Sequence, residues 1–146
     1  MHPAGTVVFR PRMVRVVGYG IAAVMLVGLV AGGILIPGFS PLDRAGMIMF
    51  GVLAALFCHL QASVRLVAGP ETLEVRNLFR SRTITWPEVV GVSFPMGDPW
   101  AHLDLADGTT LATWAIQRAD GKRGIVDAHR LAALVRERGE AADNDA

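Results

Sequence analysis

Four side chains in the second half of the chain are of the types that acid–base chemistry uses: His102, Asp104, Asp107 and Asp120. An active site needs such groups to converge on one point in complementary roles. Their spacing argues otherwise. His102 and Asp104 alternate on one face of a strand pattern, and Asp107 precedes Gly108 in a turn signal. There is no Gly-rich phosphate loop, no H-E-x-x-H and no pair of cysteines, and no serine lies in a nucleophile motif. The expectation is a protein that is not an enzyme, without catalytic residues, cofactor or metal site.

Binding chemistry has more candidates. Arg76, Arg80 and Arg82 flank Leu78-Phe79 in a hairpin pattern. They could hold anionic lipid headgroups, each contributing about 1 kcal/mol near a membrane surface, with Phe79 dipping into the interface. The plainer reading is solvated arginines that set orientation and bind nothing specific. Lys122 and Arg123 form a weaker basic pair that reads as a polar loop. Trp86, Trp100 and Trp114 suggest a stacking platform, but each sits beside apolar neighbours in a strand pattern, which favours the core. Cys58 and His59 lack a second cluster of metal ligands and read as packing and interfacial residues.

What must position these groups follows from where charge is missing. The chain has 146 residues, 52% hydrophobic and 18% charged, with a net charge of +1. Between Val16 and Val64 the only formal charges are Asp43 and Arg44. A bilayer imposes such segregation, because a charge at a helix centre costs about 2.5–3.5 kcal/mol on insertion scales. No dominant basic face suits a nucleic acid, and a single cysteine permits no internal disulfide.

Val16 to Ile36 is free of charge and long enough to cross a hydrocarbon core of about 30 Å. A second run follows at 45–62, after a short connector. A signal peptide fits poorly, since its apolar region is about 7–15 residues long. Arg10, Arg12 and Arg15 precede the first run, and Arg65, Arg76, Arg80 and Arg82 follow the second. The positive-inside rule then places both termini in the cytoplasm of a multi-pass protein of the plasma membrane. Gly28 with Gly32, and Gly51 with Ala55, put small residues four apart, a spacing that lets helices approach closely within the hairpin or between two copies. Ordinary membrane-helix composition is the competing explanation.

Beyond Ser63 the pattern turns to short alternating runs: 64–68, 72–77, 82–86, 89–94, 100–106 and 109–116. Leu73 and Val75 share one strand face, Leu103 and Leu105 another, and Val90, Val92 and Phe94 a third. Asp107-Gly108 marks a hairpin. A closing helix starts at Ile125 or Asp127 and runs to Arg138, with Ala128, Leu131, Leu134 and Val135 on its apolar face. Asp127 serves as its N-cap and Gly139 as its C-terminal stop. The fold class expected is α+β: a two-helix transmembrane hairpin, then a small antiparallel β-barrel or sandwich capped by a C-terminal helix. The divisions are a basic cytoplasmic segment at 1–15, the hairpin at 16–62 with helices 16–36 and 45–62, a β domain at 63–140 and a disordered tail at 141–146.

FRP at 9–11, ITWPEVVGV at 84–92, the Trp100 strand with its Asp107-Gly108 turn, and AIQRADG at 115–121 carry a resemblance. With the hydrophobic hairpin before them, they make the chain similar to actinobacterial PH-domain membrane proteins related to low molecular weight protein antigen 6. That resemblance implies a bacterial PH-like domain at the membrane and no established catalytic activity. It supplies no set of binding residues.

Two spanning helices already anchor the chain, so lipid binding by the domain would add orientation rather than recruitment. A tether also raises the local concentration of the domain near membrane partners. The expected function is a membrane-anchored PH-like adaptor that presents its β domain to a membrane protein partner. The alternatives are anionic-lipid or phosphoinositide-type headgroup binding, and a structural subunit that packs through its helices. The bilayer is a partner in every version, and nucleic acid in none.

Overall fold

The computed structural model describes the backbone of residues 5–144 and the side chains of residues 5–139. It divides into two compact units. One is Arg12–Ser63, and the other joins the chain up to Pro11 with everything from Val64 onward.

The first unit is a hairpin of α1 (Arg12–Leu35) and α2 (Pro41–Ala62). Both helices start earlier than the charge-free runs suggest, and for α2 the cause is local. Ser40 caps it: the Asp43 amide donates to Ser40 Oγ at 3.2 Å, while Asp43 Oδ2 accepts from the Ser40 amide at 3.0 Å and from its hydroxyl at 2.7 Å. Pro41 takes the first helical position, where a missing N–H costs nothing. Arg44 reaches back to donate to the Phe39 carbonyl at 3.3 Å and to the Ile34 carbonyl at 3.2 Å. The Ile34 bond satisfies an orphan acceptor at the end of α1.

Small residues set the approach of the two helices, though not all those expected. A Cβ at Gly51 would lie 3.3 Å from Leu29 Cβ, one at Gly33 would lie 3.6 Å from the Arg44 carbonyl oxygen, and one at Gly32 would lie 3.1 Å from Met47 Cε. Gly28 has no such neighbour within 4 Å. The 28/32 pair therefore contributes only its second member inside the hairpin, because Gly33 sits where the helices meet. Ala55 is half-buried. The Tyr19 hydroxyl lies 3.2 Å from His59 Nδ1, which ties His59 into the helix pair. Only Gly33, Gly51 and Ala62 are buried in the two helices, and Val24, Val27, Leu35 and Leu42 are each more than two-thirds exposed.

In the second unit, β1 (Val7–Phe9), β2 (Arg65–Ala68), β3 (Thr72–Arg76) and β4 (Ser81–Thr85) form an antiparallel sheet in that order. Strands β5 (Val89–Ser93), β6 (Trp100–Leu105) and β7 (Thr110–Gln117) form a second, and α3 (Lys122–Asn144) follows. The first strand is a correction. Within the expected segment 1–15, the strand does not stand apart: Val7, Val8 and Phe9 pair with Ala68, Val67 and Leu66, and Phe9 is buried at 3% exposure. The domain is thus assembled from both sides of the helical hairpin. The strands make two separate ladders rather than one closed barrel. Asn77 joins them, donating from Nδ2 to the Ala112 carbonyl at 2.7 Å and accepting from the Trp114 amide at 3.0 Å.

Alternation places the core as expected in most strands. Leu66, Leu73, Val75 and Ile84 of the first sheet meet Ala101, Leu103, Ala115 and Ile116 of the second, and Ala128, Leu131 and Val135 of α3 complete the cluster. Strand β5 departs from the pattern. Its register slips between Val89 and Gly91, so Val89 is buried and Val90 is 70% exposed. The extra residue at the bulge turns Val90 outward, while Val92 and Phe94 still pack against the core. The β6–β7 turn follows the sequence signal: Gly108 has φ +81°, and Asp107 Oδ1 accepts from the Thr109 amide at 2.9 Å and from its hydroxyl at 2.6 Å.

Helix α3 begins at Lys122, just after Gly121 with φ +60°, and runs through Gly139 to Asn144. Asp127 is therefore one turn inside, 3.8 Å from Arg123 Nε, with burial pushing its carboxyl above the ordinary range. The expected tail at 141–146 is helical as far as Asn144, and Asp145 and Ala146 lie outside the described residues.

Candidate functional site

The acid–base candidates are scattered among structural tasks. His102 Nε2 lies 3.2 Å from Asp98 Oδ2, Asp104 is 3.5 Å from the Ser93 hydroxyl, and Asp107 is spent on its own turn. Bonds from Thr109 hold the Asp107 carboxyl below its usual range, as bonds from the Thr85 amide and hydroxyl do for Glu88. Neither carboxyl is poised to take a proton near neutral pH. Asp120 ends the short turn before α3.

The tryptophans divide. Trp86 is buried, donates from Nε1 to the Gly69 carbonyl at 3.1 Å and lies under the Arg138 guanidinium, 5.1 Å away. Arg138 also donates to the Gly69 carbonyl, and to the Gly5 carbonyl at 2.6 Å. One side chain therefore fastens the N-terminal segment, the β2–β3 turn and α3 together. Trp100 and Trp114 stack on each other at 4.9 Å between ring centroids and leave no gap for a ligand between them.

A second arginine carries no signal in the sequence. Arg118 donates to the Asp98 carbonyl at 2.9 Å and to the Pro95 carbonyl at 2.6 Å, with its guanidinium 4.3 Å from the Phe94 ring centre. It fixes the loop between β5 and β6 and so shapes one end of a groove.

That groove is an open, mainly apolar feature of the domain. Val92, Phe94 and Met96 on the β5 side face Ile125, Ala128 and Ala132 on α3 across a hollow of about 320 Å³, with Arg118 and His129 at its margins. A second hollow of about 270 Å³ lies along the same two elements, between Val89 and Val90 and the Val135–Gly139 end of α3. Strand β5 is the edge of its sheet, paired only with β6 among the described residues. Met96 is 95% exposed, and Ile125 and Val126 are exposed beside it. An edge strand beside an apolar hollow can receive an extended peptide, backbone to backbone, with side chains in the hollow.

The three arginines of the β3–β4 hairpin do not act as a set. Arg76 and Arg82 line one shallow cavity of about 260 Å³, together with Arg65. Arg80 stands in the turn, where its carbonyl accepts from the Asn77 amide at 2.8 Å, next to Phe79 at 81% exposure. In the sequence Arg65 reads only as an orientation charge, because its neighbours belong to other strands.

Comparisons with known proteins agree with this architecture. A family model described as Bacterial PH domain matches residues 63–133. The uncharacterized protein Rv1417 of Mycobacterium tuberculosis is 38% identical over 125 residues, which covers 82% of this chain and 81% of that one. The uncharacterized protein Mb1452 of Mycobacterium bovis matches to the same extent. No solved structure matches. By this identity across four-fifths of both partners, and by the β strands and closing helix that fill the matched span, the chain belongs to a family of bacterial PH domain proteins with mycobacterial members.

Proposed function

We propose that this protein is a membrane-anchored, non-catalytic adaptor whose PH domain receives an extended segment of a membrane protein along the β5–α3 groove. The observation that carries the reading is the groove itself, an unpaired strand edge beside exposed Met96 and Ile125, with exposed Val90 on the neighbouring hollow. Contiguous exposed apolar surface of this kind marks interaction sites on soluble domains. The helices supply the anchor. Each is long and apolar enough to span a bilayer, and only Gly33, Gly51 and Ala62 of the pair are buried, whereas a core helix of a soluble protein is mostly buried. A cleaved leader is a poor alternative, since cleavage after α1 would remove β1 from the sheet.

Pairing of β1 with β2 bears on topology too. A strand ahead of α1 and a strand behind α2 share one ladder, so two crossings must return the chain to its starting side. With the arginines at both ends, that side is the cytoplasm. Kinship with the low molecular weight protein antigen 6 group, carried by the motifs at 9–11, 84–92 and 115–121, belongs to the same proposal.

A photo-crosslinking residue placed at Val90 or Met96 in native membranes should yield a discrete adduct with one membrane protein. The same residue at Thr83, on the other sheet, should yield none, and Ile125→Arg should abolish the adduct at Met96. Equal adducts at all three sites, or none at any, would remove the groove as the binding surface.

A further inference from the structure

Sheet register brings together charges that lie far apart in the chain. Arg65 is paired directly with Arg76 across β2 and β3. Arg10 follows Phe9, whose partner Leu66 follows Arg65, so the ladder leads Arg10 to the same end of the sheet. The alternation that buries Phe9, Leu66 and Val75 places all three arginines on the opposite, outer face. Like charges set directly opposite on neighbouring strands destabilise a sheet. No ion pair relieves these: among the described residues, neither salt bridge, His102–Asp98 or Arg123–Asp127, involves Arg10, Arg65 or Arg76. Glu74 shares the cavity but makes no such pair. Arg65, Arg76 and Arg82 line its walls with the hydroxyl-bearing Ser81 and Thr83, so donors outnumber the single Glu74 carboxylate. Arg82 also lies within electrostatic reach of Glu88 and Asp107, so it is the least available of the three.

Chain connectivity keeps two of these arginines within a few residues of the helices. Arg10 is two residues before the start of α1, and Arg65 is three residues after the end of α2. If the helices span the bilayer, as proposed above and on which this inference rests, both arginines emerge at headgroup depth. We propose that the Arg10–Arg65–Arg76 face is a binding site for the phosphate of an anionic phospholipid of the inner leaflet, with the Ser81 and Thr83 hydroxyls as further donors. Guanidinium groups suit this task, because their paired N–H donors match phosphate oxygens two at a time. The ligand neutralises a repulsion that the empty sheet bears, so occupancy and domain stability are linked.

The test uses the full chain purified in a zwitterionic detergent. Short-chain phosphatidylglycerol, short-chain phosphatidylcholine and inorganic phosphate are each titrated, and retained lipid is read by native mass spectrometry alongside the melting temperature. Phosphatidylglycerol should be retained and should raise the melting temperature, and phosphatidylcholine should do neither. The double substitution Arg65→Gln and Arg76→Gln should weaken phosphatidylglycerol about thirtyfold, from about 1 kcal/mol for each arginine. The empty double variant should melt no lower than the wild type, a result that a merely structural role for these residues would not give. Arg130→Gln with Arg136→Gln, on α3, should leave retention unchanged. Equal retention by wild type and the Arg65/Arg76 variant overturns the site. An equal response to inorganic phosphate assigns it to a free anion and overturns the lipid. Alkaline carbonate extraction of the native protein separately reports whether the helices are embedded, so loss of the membrane reading is distinguished from loss of the site.

Discussion

A fragment that begins at Ser63 should fail to fold cooperatively, although it contains every residue that the PH family model matches. It lacks β1. Three register pairs with β2 and the buried ring of Phe9 would go with that strand, and deleting a buried phenylalanine side chain alone costs about 3–5 kcal/mol. The Gly5 carbonyl that Arg138 grips would be lost as well. Small domains are stable by about 5–15 kcal/mol, and one of this size sits at the lower end. Joining residues 5–11 to Val64 through a flexible Gly/Ser linker should restore a single sharp transition in urea. Equal midpoints for the fragments with and without β1 would mean that the strand is an ornament of the sheet. Phe9→Ala in the joined form should lower the midpoint by most of the same amount.

The second large effect is at Gly124, and its sign contrasts with that of another glycine on the same helix. Gly124 is buried in the first turn of α3. A Cβ there would overlap the Gln117 carbonyl oxygen and lie 3.1 Å from the Gln117 carbonyl carbon. Both are backbone atoms at the end of β7, so no rotamer change can relieve the contact. Gly124→Ala should therefore destabilise the domain by about 3 kcal/mol, the upper end of overpacking costs, and lower its melting temperature by about 15 °C. A Cβ at Gly139, by contrast, would meet nothing within 4 Å, and this residue also lies inside the helix. Gly139→Ala should raise stability by about 0.5–1 kcal/mol through helix propensity. Thermal melts of the two variants beside the wild type check both signs, and a Gly124→Ala protein that melts like the wild type would contradict the close packing of α3 against β7.

Much of this was readable from local pattern. Alternation at Leu73/Val75 and Leu103/Leu105 oriented two strands, Asp107-Gly108 marked its turn, and the spacing of Ala128, Leu131 and Val135 gave the buried face of α3. These signals depend only on residues within a few positions of each other. What escaped was non-local. Val7–Phe9 is too short to show a period, and its partner lies beyond two helices. The juxtaposition of Arg65 with Arg76 and its approach to Arg10 follow from register, which no single segment encodes. A bulge turned Val90 outward while leaving Val92 and Phe94 against the core, and a glycine at 121 started α3 before the aspartate that looked like its cap. In the hairpin, spacing identified Gly32 and Gly51 as small, but which side of α1 meets α2 depended on Gly33.

In the proposed reading the chain crosses a bilayer twice and returns to complete one domain. Site-directed cysteine labelling tests this most directly. With Cys58 replaced by serine, single cysteines at Pro37, in the connector, and at Met96, in the domain, are exposed in intact cells to a maleimide that cannot cross membranes. The cysteine at 37 should react at once, and the one at 96 only after the cells are opened. Reaction at 96 from outside, or at 37 only after opening, would contradict the account.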